Sequence, residues 1–192
     1  MHYQNGEFKQ FTEEDGLANN TVMSLAETED GAIWVATYGG VSKYQNGSFT
    51  NYSIQDGLPN NGVLDILKDT SGELWFATYG GISHYRDGEF ETITPDQGLP
   101  DEVSYFIEQD DRGIYWIGSN KGVIRFDYDA YQSGRENAQS RAFKMITQDQ
   151  GLVANEMNAG ASFKDSDGRL WFVSVGGLTI FDPRKETVNN AV

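Results

Sequence analysis

Residues 15–44 read DGLANNTVMSLAETEDGAIWVATYGGVSKY, and residues 56–85 read DGLPNNGVLDILKDTSGELWFATYGGISHY. The second stretch is the first moved along the chain by 41 residues. Trp34, Trp75 and Trp116 keep that step, and so do Gly16, Gly57 and Gly98. Two weaker copies follow, so the chain reads as four repeats of one unit. A fixed period of about 40–45 residues with a Trp-bearing strand in each unit is the pattern of a β-propeller.

One repeat explains how the pattern folds. In the second unit, 49–52 is a short outer strand and 56–61 (DGLPNN) is a loop of turn formers. The apolar run 63–68 reads as an inner strand buried on both faces. Asp69-Thr70-Ser71-Gly72 is a hairpin turn, and 74–78 (LWFAT) is an aromatic-rich second strand. Gly80-Gly81 turns the chain into a third strand at 82–85, and Asp87-Gly88 turns it again. Four short strands joined by tight turns make one antiparallel blade. The expected class is all-β: a propeller of four four-stranded blades, about sixteen strands in all. The repeats span 1–183, with blades at about 8–48, 49–89, 90–142 and 143–182, and 184–192 is a C-terminal linker.

The fourth unit departs from the period. From Gly98 to Gly151 the step is twelve residues longer, and the excess, 129–141, reads as a polar surface loop. Two further residues enter before the inner strand, expected at about 159–164, which is unusually small in side chain (Ala159-Gly160-Ala161-Ser162). The chain starts on an outer strand near Phe8 and ends on a third strand. The first is therefore expected to complete the last blade and sew the ends into a closed four-blade ring. Half of a larger or dimeric propeller is the alternative.

The 192 residues suit one domain, and 38% hydrophobic content suffices for a core. A net charge of −15 leaves no basic stripe for nucleic acid or for an anionic membrane surface. No apolar run approaches the length of a membrane span, and no signal peptide is visible at the start. The Met1-His2-Tyr3 start leads straight into a turn, so the sequence reads as a segment of a longer protein. Cysteine is absent, which removes disulfide and thiol chemistry.

Antiparallel alternation places the DGL loops and the Gly-Gly turns on one face. That face gathers Asn20, Tyr38, Asn61, Tyr79, Glu102, Asn120, Asn155, Glu156 and Asn158, with Asn19, Asn60, Asp101 and Lys121 beside them. Amides, carboxylates and Tyr rings around one mouth suit a small polar ligand such as an oligosaccharide. The alternative for each Asn is a bond to its own turn backbone. Asp165-Ser166-Asp167-Gly168 resembles the start of a calcium loop but lacks the Glu at its twelfth position. His2 and His84 are the only histidines, too few for a three-His metal site. Catalytic residues, metal and cofactor are therefore expected to be absent.

The pattern F-x-x-[FY]-x-x-x-DGL-x-x-N-x-V, then D-x-x-G-x-[LI]-W-[VF]-A-T, then GG-[VI]-x-x-Y resembles the two-component regulator propeller repeat. The resemblance covers essentially the whole chain. The last unit, QGLVANEMNAGASFKDSDGRLWFVSVGGLTIFDP, is similar to the unit that ends such propellers ahead of a Y_Y_Y-type module, with Met157 where an aromatic is usual. The resemblance implies a periplasmic sensor region of a membrane-anchored signalling protein, with a histidine kinase or diguanylate cyclase as output. It implies oligosaccharide ligands and neighbouring domains of the parent sensor as partners. It also implies more blades than four. Three functions stand open at this point. The first is a non-catalytic sensor module; the second is a structural propeller that mediates oligomerisation, including a homodimer that completes a larger ring. The third is a propeller lyase or lactonase, which the lack of His in every DGL loop disfavours. Nucleic acid and direct membrane insertion are not expected.

Overall fold

The structure, a computed structural model, describes residues 2–4, 7–133 and 141–186. A hairpin of β1 (His2–Gln4) and β2 (Glu7–Lys9) precedes the blades. The first blade is β3 (Val22–Glu27), β4 (Ile33–Thr37), β5 (Gly40–Gln45) and β6 (Ser48–Tyr52). The second is β7 (Val63–Lys68), β8 (Leu74–Thr78), β9 (Gly81–Arg86) and β10 (Glu89–Ile93). The third is β11 (Phe106–Gln109), β12 (Tyr115–Gly118), β13 (Val123–Phe126) and β14 (Phe143–Ile146). The fourth is β15 (Met157–Lys164), β16 (Leu170–Ser174) and β17 (Gly177–Phe181). Antiparallel throughout, the four blades follow one another around a common centre as β-propeller blades, with β3, β7, β11 and β15 innermost. Each sheet begins at the inner strand, so the outer strand that opens a sequence repeat pairs with the blade before it.

Alternation along each second strand explains the stacking. Side chains of β4 point in turn to opposite faces, Trp34 and Ala36 one way and Ile33 and Val35 the other. Trp34, Ala36 and Val41 pack on Val63, Ile66, Leu74 and Phe76 of the second blade. Trp75, Ala77 and Ile82 pack on Ile107, Tyr115, Ile117 and Phe126 of the third. Trp116 and Val123 pack on Met157, Leu170, Phe172 and Phe181 of the fourth. Each Trp meets aromatic rings of the next blade: Trp34 lies 4.8 Å from Tyr85, Trp75 4.5 Å from Tyr115, and Trp116 4.7 Å from Phe181. Burying one such ring contributes about 2–3 kcal/mol, and the ring geometry adds about 0.5–1.5 kcal/mol.

The DGL segments fold as capped turns. Thr12, Ser53, Thr94 and Thr147 each cap a one-turn 3-10 helix in a reciprocal capping box with Asp15, Asp56, Gln97 and Gln150. Gly16, Gly57, Gly98 and Gly151 then take φ near +100°, a conformation a Cβ would strain. The following Leu17, Leu58, Leu99 and Leu152 turn inward and are buried.

Three expectations are corrected. The N-terminal strand does not close the ring: β2 pairs with β1, while Phe11 packs on Tyr44 and Phe49 of the first blade. Among the described residues the fourth sheet therefore has three strands, and the outward faces of the first and fourth blades are uncovered by one another. The insertion does not begin as a polar loop. Residues Tyr128–Gln132 form a short helix, α1, capped by Asp127, and Tyr128 packs edge-on to Trp75 at 4.9 Å. The rest of the insertion, 134–140, lies outside the described residues. The inner strand of the fourth blade starts at Met157, two residues earlier than expected, and takes up the extra residues as a bulge between Met157 and Ser162. Within it, Gly160 N–H donates to the Tyr105 carbonyl of the third blade. Of the linker 184–192, Glu186 is held by Arg112 at 3.0 Å and Arg125 at 3.2 Å, and 187–192 lie outside the described residues.

Candidate functional site

The DGL loops and the Gly-Gly turns do meet on one face. The Gly39 and Gly80 backbones lie against Ala18 and Pro59, and Tyr38 and Tyr79 N–H donate to the Thr21 and Gly62 carbonyls. The tight approach at the turn leaves each Tyr ring pointing out over the mouth. Tyr38 and Tyr79 are half exposed, with hydroxyl oxygens 3.5 Å apart and ring centroids 6.1 Å apart. The Tyr79 hydroxyl is pushed up to about 12, first by its bond with Tyr38, then by burial and by the neighbouring hydroxyls of Tyr38 and Tyr105.

Tyr105 is the residue that sequence reasoning missed. It stands at the position of Met23 and Leu64 in the earlier repeats, and an aromatic hydroxyl at an otherwise apolar step was the available signal. Its hydroxyl donates to Asn120 Oδ1 at 2.8 Å. Burial raises its pKa, and the charges of Glu156 and Asp101 raise it further. Asp101 is buried, with Lys121 Nζ 3.6 Å from Oδ1 and no partner on Oδ2. Four blades thus contribute side chains to this face: Tyr38 from the first, Tyr79 from the second, Tyr105, Asn120 and Lys121 from the third, and Glu156 from the loop of the fourth. The loop before β11 adds Asp101.

The asparagines behave differently. Asn20, Asn61 and Asn155 each accept a backbone N–H across their own turn, from Glu13, Ile54 and Gln148 at 2.8–2.9 Å. Asn19 and Asn60 accept from Thr21 and Gly62 in the same way. Their carbonyl oxygens shape the loops, and only their amide N–H groups remain to face a ligand. Glu102 and Glu156 are exposed on the rim, while Asn158 is half buried in β15.

Asp165 in the calcium-like turn is used internally: it accepts from Trp171 Nε1 at 2.9 Å and from Arg169 Nε at 2.8 Å. Its pKa is held at about 2, with the Trp171 bond as the largest cause. Among the described residues, Asp69, Glu73 and His84 come within 4.8 Å of one another. Asp69 there accepts from Trp75 Nε1 and Tyr115 OH, and His84 bonds Glu73 and Tyr128. His84 is fully buried and stacked on Trp75 at 4.2 Å, away from the mouth.

The family model described as the two component regulator propeller matches residues 16–39 and 57–80, which are the DGL loop, inner strand and Trp strand of the first two blades. Those two stretches match the two-component regulator propeller repeat. Among solved structures it is similar to the extracellular domains reported for two hybrid two-component systems of B. thetaiotaomicron. For BT3049 the TM-score is 0.79 at 23% identity, covering 92% of this chain and 24% of that one. For BT4673 the TM-score is 0.68 at 23% identity, covering 89% and 24%. This chain thus spans about a quarter of the length of those relatives. Virginiamycin B lyase from Staphylococcus aureus shares the fold at TM-score 0.60 and 19% identity, over 84% of this chain and 55% of that one. No curated protein sequence matches the chain. Among the described residues, no helix of this propeller is long and apolar enough to cross a membrane.

Proposed function

We propose that this chain is a sensor propeller of a two-component-type signalling protein. It takes a small polar, oligosaccharide-like ligand at the DGL/Gly-Gly mouth without turning it over. In this reading it works outside the cytoplasm, as part of a membrane-anchored parent whose neighbouring domains read out the ligand. The observation that carries it is the mouth itself. Two half-exposed rings, Tyr38 and Tyr79, stand beside the Tyr105–Asn120 pair, with the buried carboxylate of Asp101 next to them. Rings offer flat apolar faces to a sugar while their hydroxyls and the carboxylates bond its hydroxyls. The family repeats and the two-component neighbours support the sensor role.

A non-catalytic reading is favoured because the buried His84 is engaged with Glu73 and Tyr128, leaving no described imidazole at the mouth. The lyase similarity includes a histidine-to-alanine variant that is catalytically inactive, and a His-dependent step has no counterpart on this face among the described side chains. The test is titration with a panel of oligosaccharides, followed by calorimetry and by tyrosine NMR. The expected result is saturable binding that moves Tyr38 and Tyr79 signals and weakens about tenfold in Tyr79→Phe, the loss of one hydrogen bond. Absence of binding at millimolar ligand, or binding that leaves both tyrosines unmoved, refutes the site.

A further inference from the structure

The seam between the first two blades keeps an opening that the later seams fill. It lies at the turns 28–31 and 69–72, the end of the blades opposite the DGL loops, and measures about 380 Å³. Small-molecule sites begin at about 300 Å³. Thr28, Trp34 and Lys43 of the first blade line it together with Leu74, Tyr85 and Arg86 of the second.

Comparison of the repeats shows what is missing there. In each later blade the Trp indole N–H donates to a carboxylate six residues earlier, Asp69, Asp110 or Asp165. Position 28 holds Thr instead, with its hydroxyl turned to Asp30 and to the Ala32 carbonyl. Trp34 is 2% exposed, and its Nε1 has no partner among the described residues. A buried donor left unpaired is costly. The later seams also fill the space in front of the Trp from within the chain. At the second, Tyr128 stands at the repeat position of Asp87 and packs on Trp75. At the third, Arg112 stands at the repeat position of Asp30 and lays its guanidinium on Asp110 at 2.8 Å. At the first seam Asp30 and Asp87 leave the space open.

The charges around the opening narrow its occupant. Lys43 Nζ lies 5.4 Å from the Trp34 ring centroid, and Arg86 faces it from the second blade. Against these two cations stand the carboxylates of Glu29, Asp30, Glu73 and Asp87. A bare anion meets more negative charge than positive, and a bare cation leaves the Trp34 N–H unmatched. A molecule that carries both a carboxylate and an ammonium answers both demands. We propose that this seam binds a small zwitterion of the amino-acid type. Its carboxylate takes the place that the Asp69 carboxylate holds one blade further on, accepting from Trp34 Nε1 with Lys43 close by. Its ammonium faces Asp30, Glu73 and Asp87. The indole N–H is closed to bulk water, so entry takes a rotation of the Thr28 side chain. The site is separate from the DGL face and does not rest on the sensor reading of that face.

Calorimetry on the full chain with the common L-amino acids tests this, with acetate and methylammonium as single-charge controls. The Trp34 indole proton in NMR locates the binding. The expected result is saturable binding of at least one amino acid at millimolar concentration or below, with a downfield shift of that proton, and neither effect from the two controls. Thr28→Asp places the chain's own carboxylate against Trp34 and is expected to abolish binding while the thermal transition does not fall. Trp34→Phe keeps a ring and removes the donor, and is expected to weaken binding at least about tenfold, the loss of one hydrogen bond to a charged group. Absence of binding by every amino acid at millimolar concentration overturns the proposal. So does binding that leaves the indole proton unmoved or that survives Thr28→Asp. Acetate or methylammonium binding as tightly as the best amino acid overturns it as well.

Discussion

Thr28→Asp is expected to stabilise the propeller. In three blades the Trp indole N–H donates to an Asp six residues earlier: Trp75 to Asp69 at 3.0 Å, Trp116 to Asp110 at 3.1 Å, and Trp171 to Asp165 at 2.9 Å. In the first blade the Asp is replaced by Thr28, and Trp34 Nε1 is buried with no partner. A buried donor left unmatched costs about 1–3 kcal/mol. Thr28 instead spends its hydroxyl on Asp30 Oδ1 at 2.6 Å and the Ala32 carbonyl at 3.2 Å. An Asp at 28 loses those bonds and places a second carboxylate near Asp30. Lys43, 3.6 Å from Asp30 and 5.4 Å from the Trp34 ring centroid, offsets part of that repulsion. The net expectation is a gain of about 1 kcal/mol, or about 2–4 °C in Tm for a chain of this size. Thr28→Asn, which brings an acceptor without charge, should gain a similar amount, whereas Thr28→Val should gain nothing. Thermal and urea unfolding measure the stability, and the Trp34 indole proton in NMR reports the bond directly. If both Asp and Asn variants show the indole proton bonded yet gain no stability, the reasoning fails.

Asp69 joins two blades by accepting from Trp75 Nε1 at 3.0 Å and Tyr115 OH at 2.8 Å. Asp69→Ala strands both donors and is expected to cost about 3 kcal/mol, read as a urea midpoint shift at unchanged slope. Asp30 and Asp165 are held at about 2 against an ordinary 3.8. Their contribution is present above the unfolded value and is lost as pH falls through the folded one. Buried Asp65 and Glu108 are raised by burial and act in the opposite sense, favouring the fold when protonated. Asp165→Asn should therefore be less stable than the parent at neutral pH, with the gap closing between about pH 4 and pH 2 in a urea series. At Gly118 an added Cβ would clash with the Phe106 ring, so Gly118→Ala is expected to cost about 1–3 kcal/mol, and Phe106→Leu in the same chain should recover most of it. Equal stability of the single and double variants refutes that account.

Much of this was legible along the chain because repetition carries it. The step from Trp34 to Trp75 to Trp116 specified the blades, and the turn formers around Gly57 and Gly81 specified which loops share a face. Contacts between units were less legible. Tyr105 reads as one more strand residue until the fold sets it against Asn120 and Tyr79. Tyr128 reads as part of a polar insertion until the helix lays it against Trp75. The asparagines beside the DGL turns have the composition of a binding surface, yet five of them spend their oxygens on the backbone of their own loop. Composition does not distinguish an acceptor aimed at a ligand from one aimed at a turn.

The sequence by itself determined the repeat, the strand pattern and the side of the ring on which each loop falls, since these follow from local periodicity and turn chemistry. The tertiary structure decided whether the ends meet. Phe11 packs on Tyr44 and Phe49 just as its counterpart Tyr52 packs on Tyr85 and Phe90, but β2 pairs with β1 rather than with β17 of the fourth blade. The reason is physical. Strand pairing within a blade is specified by neighbours a few residues apart, while closure depends on distant surfaces competing for the same partner. Only the assembled molecule shows that Leu25 and Ile180 are left facing water.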